Sequence, residues 1–370
     1  MASITIKHIS VTYDRGKSKA LKDLSLEVKD GEFCVFLGPS GCGKSTAMHC
    51  IAGLLRPDTG EIYINNDLVT AMEKKIFVQP QQRNIAMVFQ EYALYPNMTV
   101  RKNMSFALET KKVDKAEIER RVDRMAKMLS IEHLLDRKPA ELSGGQRQRV
   151  ALGRALVRDP NVFLLDEPLG NLDAKLREQV RYELKKIQTE LGITTVYVTH
   201  DQTEAMTMAD HIILMRDGEI VQEGTPAELY GNPCNLFVAS FLGTPQINLF
   251  DCTVTEENGK ILLVSPEIHT EVQDTDAQLL RSYLGKEITL GIRPSDLMLV
   301  KDESEAAIEA AIDSMELLGD AYLVYVRSGE KVVIFKNTDL NTKLNTHVLL
   351  KPDLSKLHLF EKDSGNRIHV

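Results

Sequence analysis

Through the first two thirds of the chain, short apolar runs alternate with stretches of helical periodicity. Residues 33–37, 85–89, 162–165 and 195–199 are strand-length runs dominated by apolar and β-branched side chains. Runs of this length without a polar face belong to strands covered on both sides. Between them, Ile118, Val122, Met125 and Leu129 fall on one helical face, and Leu176, Val180, Leu184, Ile187 and Leu191 fall on another. Strands separated by helices predict a mostly parallel sheet with helices on both faces. Arg216-Asp217-Gly218 carries a hairpin signal between two apolar stretches. Thr225-Pro226-Ala227-Glu228 reads as a capping box with proline at the first helical position, and Gly231-Asn232-Pro233 stops the helix it starts.

From about residue 245 the rhythm changes. Residues 287–292, 321–326 and 331–336 are short, β-branched and separated by turn residues, with Ser328-Gly329 where a hairpin turn would fall. This pattern predicts a small all-β region, a sandwich or a barrel. Charge shifts at the same place. The net charge is −8, and residues 245–370 carry all of it, with 13 Lys and Arg against 21 Asp and Glu. Residues 1–244 hold 32 of each sign. The 370 residues leave room for two or three domains, and the charge step marks a first boundary. The acidic balance argues against nucleic acid as a partner. No run approaches the ~18 apolar residues of a membrane-spanning helix. The opening MASITIKHIS lacks the basic and apolar regions of a secretory signal. Cys34, Cys42, Cys50, Cys234 and Cys252 are scattered and odd in number, which fits reduced thiols. The expectation is a chain that stays in the cytoplasm.

The strongest chemical signal is Gly38-Pro39-Ser40-Gly41-Cys42-Gly43-Lys44-Ser45, with Thr46 following. It matches the phosphate-binding loop pattern G-x-x-x-x-G-K-[ST]. The glycines let the backbone turn tightly around an anion, and the next helix offers its free N–H groups and positive dipole end. Lys44 is expected to reach the β- and γ-phosphates of a nucleotide, and Ser45 to hold Mg²⁺. An apolar strand enters and a helix leaves, as such a loop requires. Cys42 reads as a passive loop residue, and the charged stretch 114–127 as a solvated helix face.

A phosphate loop alone does not separate kinases, GTPases, motors and transport ATPases. Leu142-Ser143-Gly144-Gly145-Gln146 resembles the signature of ATP-binding-cassette (ABC) ATPases. Val162-Phe163-Leu164-Leu165-Asp166-Glu167 is an apolar strand ending in two acids, similar to the Walker B pattern. In that family Gln90 is the Q-loop glutamine, Asn171-Leu172-Asp173 the D-loop and His200 the switch histidine. Tyr13 sits where an aromatic would stack on adenine. Read alone, Glu167 is an acid that could cap a helix and His200 an ordinary structural histidine. The motif order lifts both.

Three stretches resemble the ATPase subunits of bacterial carbohydrate importers, the maltose/maltodextrin and multiple-sugar type. These are Ile85 to Pro96 around Gln90, Glu167 to Arg177 around Asp173, and Gly291-Ile292-Arg293-Pro294. Gly170 departs from that group, which usually carries serine there. The resemblance implies an α/β P-loop NTPase cassette with a helical subdomain over 1–235, then an OB-like (TOBE-type) regulatory domain over 236–370. It implies ATP and Mg²⁺ as cofactors. Glu167 would be the general base, His200 the γ-phosphate sensor and Lys44 the neutraliser of phosphate charge. Asp166, Ser45 and Gln90 would form the Mg²⁺ shell. Ser143, Gly144, Gly145 and Gln146 would serve the nucleotide of a second copy, together with Asp173, so a homodimer is implied. Two integral permease subunits, an extracytoplasmic sugar-binding protein acting through them, and a place on the cytoplasmic face of the membrane complete the expectation. An importer for a polyamine, iron or sulfate, and a soluble non-transport ATPase, stay open as alternatives.

Overall fold

The computed structural model describes residues 2–13, 18–170, 172–339 and 346–368. The chain divides into two units, Met1–Pro226 and Ala227–Val370. The first runs β1 (Ile4–Tyr13), β2 (Ser18–Val28), β3 (Phe33–Leu37), α1 (Lys44–Ala52), β4 (Thr59–Ile64), β5 (Asp67–Ala71), β6 (Ile76–Phe77), β7 (Ile85–Val88), α2 (Val100–Thr110), α3 (Lys115–Met128), α4 (Gly144–Leu156), β8 (Val162–Asp166), α5 (Ala174–Leu191), β9 (Thr194–Thr199), α6 (Gln202–Met208), β10 (His211–Arg216) and β11 (Glu219–Gly224).

The apolar runs form the centre of a six-stranded sheet ordered β11-β10-β3-β9-β8-β7. Strands β10, β3, β9, β8 and β7 are parallel, and β11 pairs antiparallel with β10 through the expected hairpin. Every residue of β3 is buried, as a strand covered on both faces demands. The run at 85–89 ends one residue early, because Phe89 is 39% exposed. Ile118, Val122, Met125 and Leu129 are all buried where α3 packs with its helical neighbours. Helix α4 packs on α2 closely enough that a Cβ on Gly153 would stand 2.8 Å from Met104.

The first unit also holds an antiparallel sheet, β2-β1-β4-β5-β6, which the parallel expectation did not include. Its strongest strand, β1, hides its alternation. Ile4 and Ile6 point inward, then the register shifts and Ile9 and Val11 point inward instead. His8 sits at the shift with φ 54°, and its Nδ1 lies 3.0 Å from Asp23 Oδ1 on β2, where φ is 55°. A bulge inserts a residue and flips the parity of the apolar positions, so a period of two is not visible across it.

Arg83 ties this sheet to α1. The guanidinium is 4% exposed and donates five hydrogen bonds. Nε bonds Val78 O at 2.8 Å, Nη1 bonds Cys50 O and Ile51 O at 2.9 Å, and Nη2 bonds Val69 O at 3.3 Å and Thr70 Oγ1 at 2.9 Å. Five donors is the full capacity of a guanidinium. Two of the acceptors are carbonyls of the last turn of α1, where a cation also meets the negative end of the helix dipole. Burial lowers the Arg83 pKa to about 10.

The second unit contains α7 (Pro226–Gly231), α8 (Leu236–Phe241), β12 (Asn248–Glu257), β13 (Lys260–Val264), β14 (His269–Glu271), α9 (Asp274–Leu280), β15 (Glu287–Ile292), β16 (Leu297–Val300), β17 (Ile308–Leu317), β18 (Tyr322–Ser328), β19 (Lys331–Asn337), β20 (His347–Pro352) and β21 (His358–Glu361). Two five-stranded antiparallel sheets, β14-β13-β12-β15-β21 and β16-β20-β17-β18-β19, share one core that includes Phe250, Leu290, Val324, Phe335 and Leu350. The strands expected from the β-branched runs are present, together with helix α9, which was not foreseen.

Arg293, the charged member of the Gly291–Pro294 motif, is 1% exposed. It donates to Ala239 O at 3.1 Å, to Leu242 O, and to Tyr230 O at 2.9 Å, and its guanidinium lies 3.9 Å from the Tyr230 ring centre. These bonds hold the α7–α8 segment within the second unit. Replacing Arg83 with methionine should remove five hydrogen bonds, although Cys50 O and Val69 O keep backbone donors in Gly53 N and Val78 N. The expected cost is about 3 kcal/mol, read as a lower urea midpoint for the first unit.

Candidate functional site

The loop Gly38–Gly43 joins β3 to α1 through three left-handed or otherwise positive-φ glycines. Their φ values are 152° at Gly38, 80° at Gly41 and 104° at Gly43. Two of these positions have no room for a side chain. A Cβ on Gly38 would stand 2.2 Å from Met215 O, and one on Gly43 would stand 2.5 Å from Ala20 O. Gly218 of the β10–β11 turn locks the loop from outside, donating to Cys42 O at 3.1 Å and accepting from Lys22 N at 2.9 Å. Pro39 is half-buried and Ser40 is exposed. Helix α1 opens with Gly43 as its N-cap, no side-chain cap and no acid in its first turn. The N–H groups of its first turn therefore have no capping side chain on the helix itself.

Lys44 is 4% exposed, and its Nζ donates to Gly38 O and Pro39 O at 2.8 Å each. The ammonium therefore lies along the loop that it closes. The Cys42 thiol is buried beside it. Burial pushes that thiol pKa up, against the pull of the lysine charge. Ser45 Oγ donates to Asp166 Oδ1 at 2.8 Å. One helical turn on, His49 Nε2 lies 3.5 Å from Asp166 Oδ2. His49 was missed in the sequence, although its i+4 spacing from Ser45 places both on one face of α1.

Asp166 ends β8, and Glu167 follows with φ 43°, a costly left-handed conformation for a residue with a Cβ. Two backbone bonds hold it. Glu167 N donates to Val198 O at 3.0 Å, and Glu167 O accepts from Gly170 N at 3.3 Å. Its Oε2 lies 3.3 Å from His200 Nδ1. His200 follows β9 directly, with Asp201 capping α6 through bonds from Thr203 N and Glu204 N. Glu204 is buried under this corner and accepts from Thr199 Oγ1 at 2.6 Å and Tyr197 OH at 2.8 Å. Burial raises the Glu204 pKa, against the effect of these two donors. No pattern in the sequence marks Glu204.

Tyr13 ends β1, is 42% exposed, and its hydroxyl stands 3.5 Å from Thr46 Oγ1. The side of a Gly170 Cβ would lie 3.8 Å from Gln90 Nε2, so Gln90 reaches the corner after Glu167. These contacts gather Tyr13, Lys44, Ser45, Thr46, Gln90, Asp166, Glu167 and His200 around one loop. Ser143, Gly144, Gly145 and Gln146 make contacts of another kind. Ser143 caps α4 in a capping box, accepting from Gln146 N at 3.3 Å while its own N–H donates to Gln146 Oε1 at 2.9 Å. A Cβ on Gly145 would stand 2.8 Å from Leu176 of α5. Asp173 caps α5 by accepting from Leu176 N at 3.0 Å. Asn171 lies outside the described residues.

A cavity of about 420 Å³ opens beside the stretch after Gln90, lined by residues that include Met87, Phe89, Tyr92, Tyr95 and Arg154. Asn103 fixes this stretch, accepting from Tyr95 N at 2.8 Å and donating to Tyr95 O, Met98 O and Thr99 O at 3.1 Å. Arg154 stands 5.1 Å over the Tyr95 ring and donates to Ala93 O.

The model for the family described as ABC transporter matches residues 21–170, and the one described as MalK OB fold domain matches residues 243–297. The trehalose/maltose import ATP-binding protein of Thermococcus litoralis is 47% identical over 361 residues, covering 95% of this chain and 96% of its own. This chain belongs to the ABC transporter family. The sn-glycerol-3-phosphate import ATP-binding protein of Escherichia coli O157:H7 is 45% identical over 374 residues, covering all of both chains. A solved dimeric ATP-binding cassette bound to ADP and Pi superposes with a TM-score of 0.52 at 36% identity, over 60% of this chain and 98% of its own. The chain is thus an ABC ATPase that binds nucleotide and couples its hydrolysis to transport. Among the described residues, no helix is long and apolar enough to cross a membrane.

The close approaches at Gly38 and Gly43 make a direct test. Gly38→Ala or Gly43→Ala must push two backbones apart and should abolish measurable nucleotide binding in a titration. Gly41→Ala meets nothing within 4 Å. It should cost only the left-handed strain of about 1–2 kcal/mol in stability and leave nucleotide binding measurable.

Proposed function

We propose that this chain is the ATP-hydrolysing subunit of an importer that takes up carbohydrates through separate permease subunits. The observation that carries the chemistry is the Glu167–His200 pair standing at the strand ends next to Ser45 and Asp166. Lys44 and the N–H groups of the loop and α1 bind the phosphates, with Gly38–Thr46 forming the cradle. Tyr13 stacks on the adenine, which its contact with Thr46 supports.

Glu167 orients a water and takes its proton as the water oxygen attacks the γ-phosphorus. The bond from that phosphorus to the bridging oxygen breaks, and ADP carries the electron pair away. His200 lies beside the Glu167 carboxylate and stabilises the γ-phosphate. The donor set Ser45, Asp166 and Gln90, a hydroxyl, a carboxylate and an amide, suits a hard cation such as Mg²⁺, which is commonly held by one or two carboxylates plus substrate phosphates. When bound there, Mg²⁺ neutralises phosphate charge.

Ser143–Gln146 open a helix whose N-terminus serves the ATP of a second copy, with Asp173 at the same face. The functional unit is then a homodimer, a reading supported by the dimeric cassette with ADP and Pi. The 420 Å³ cavity beside Tyr92 and Tyr95 receives an element of a permease subunit. Two such subunits, served by an extracytoplasmic sugar-binding protein, hold the ATPase at the cytoplasmic face of the membrane. In this reading residues 1–235 are the ATP-binding domain and 236–370 the regulatory domain. A sugar cargo is supported by the trehalose/maltose relative, and the glycerol-phosphate relative defines the competing reading.

Glu167→Gln should keep ATP binding and lower hydrolysis at least about 100-fold, the usual contribution of a general base. Normal turnover of this variant would remove the assigned role. Deleting the gene should abolish uptake of at least one sugar in a panel of radiolabelled solutes. Unchanged sugar uptake with loss of glycerol phosphate, polyamine or metal uptake would overturn the carbohydrate reading.

A further inference from the structure

The His200 side chain is 57% exposed, although its Nδ1 lies only 3.3 Å from Glu167 Oε2. Packing therefore fixes little of the imidazole, and its place beside Glu167 depends on the backbone to either side. Before it, Thr199 Oγ1 donates to the buried Glu204 Oε2 at 2.6 Å and accepts from Asp201 N at 3.0 Å. After it, Asp201 Oδ1 accepts from Thr203 N at 2.8 Å and Glu204 N at 3.1 Å. The other Asp201 oxygen, Oδ2, lies 3.5 Å from Arg177 Nη1.

Arg177 stands in the first turn of α5, where its N–H donates to Asp173 O at 2.8 Å. Its Nη2 donates to Leu172 O at 3.2 Å. Leu172 belongs to the turn that leaves Glu167. Its N–H donates to Leu169 O at 3.2 Å, and Gly170 N donates to Glu167 O at 3.3 Å. One guanidinium thus touches both segments that carry the reacting pair, the one leaving β8 after Glu167 and the one leaving β9 after His200. Burial raises the Glu204 pKa, and the Arg177 charge works against that rise, so the same cation also acts on the group that holds Thr199. An arginine needed only to finish the first turn of α5 would use Leu172 O alone. The reach to Asp201 crosses to the β9–α6 junction. A planar fork holds two such acceptors in fixed relation, which the point charge of a lysine does not. A half-buried pair of this kind adds little to stability, so its value lies in geometry.

We propose that Arg177 is a positioning residue for hydrolysis, bracing the turn after Glu167 against the turn after His200 and so fixing the approach of imidazole to carboxylate. The inference rests on the roles given to Glu167 and His200. ATP hydrolysis and nucleotide binding by the full chain test it. In Arg177→Met, kcat should fall at least about tenfold, because a positioned reaction is sensitive to small displacements, while nucleotide affinity stays unchanged. Arg177→Lys, which meets one acceptor but not both, should recover part of the rate. Asp201→Asn removes the charge that faces Arg177 and keeps an oxygen to cap α6. It should lower kcat by itself, and adding it to Arg177→Met should cost little further, since both break one contact. In the nucleotide-free chain, the imidazole NMR signal of His200 should shift in Arg177→Met. That signal is identified among the nine histidines by its loss in His200→Gln. Melting temperatures check that each variant folds. Unchanged kcat in Arg177→Met, equal loss of kcat and affinity, an unshifted His200 signal, or fully additive effects of Arg177→Met and Asp201→Asn would each overturn the proposal. Should Arg177→Met fail to fold, normal turnover by Asp201→Asn overturns it. Normal hydrolysis by His200→Gln would instead remove the reading of the site on which it rests, and the proposal with it.

Discussion

A backbone can wrap a phosphate chain only where it approaches its neighbours more closely than side chains permit. That constraint organises the first unit. Gly38 lies against Met215 O of β10, and Gly43 against Ala20 O of β2. The turn at Gly218 bonds to the loop at Cys42 and to β2 at Lys22. Three strands from two different sheets thus meet on six residues of loop. The antiparallel sheet is part of the phosphate site, since it sets the wall that only a glycine can touch. Arg83 secures the other end of the same helix, by bonding Cys50 O and Ile51 O together with Val69 O and Thr70 Oγ1 of β5.

The remaining chemistry arrives by topology. In the sheet order, β3, β9 and β8 are neighbours. The phosphate loop follows β3, His200 follows β9, and Asp166 and Glu167 end β8. Residues more than 100 positions apart in sequence therefore emerge side by side at the carboxyl ends of adjacent parallel strands, where open α/β sheets place their ligands. The left-handed backbone at Glu167 is held by β9 through Val198 O, so the strand that delivers His200 also fixes the acid beside it.

What was readable in the sequence follows from the same physics. A strand buried on both faces, such as 33–37, announces itself as an apolar run, and a loop that must be glycine announces itself by spacing. The β1 strand did not, because the bulge at His8 moves the apolar positions from one parity to the other. Arg83, Asn103 and Arg293 were equally silent as structural groups. Each acts on main-chain carbonyls or amides, which every residue possesses, so no partner residue type exists to be recognised. His49 and Glu204 were missed for a different reason. Their partners, Asp166 and Thr199, are specific, but the meeting depends on how a helix lies against a strand end.

The two buried arginines show how a cation is built into a fold without an ion pair. Both lack a carboxylate partner, and in both burial lowers the pKa. Arg83 uses all five donors on the protein and has nothing left to offer. Arg293 spends its terminal nitrogens on Tyr230, Ala239 and Leu242 but leaves Nε without a partner. The first therefore joins a helix end to a sheet, while the second pins α7 and α8 through their carbonyls. In each case carbonyls at a helix C-terminus, and no ion-paired carboxylate, meet the buried charge.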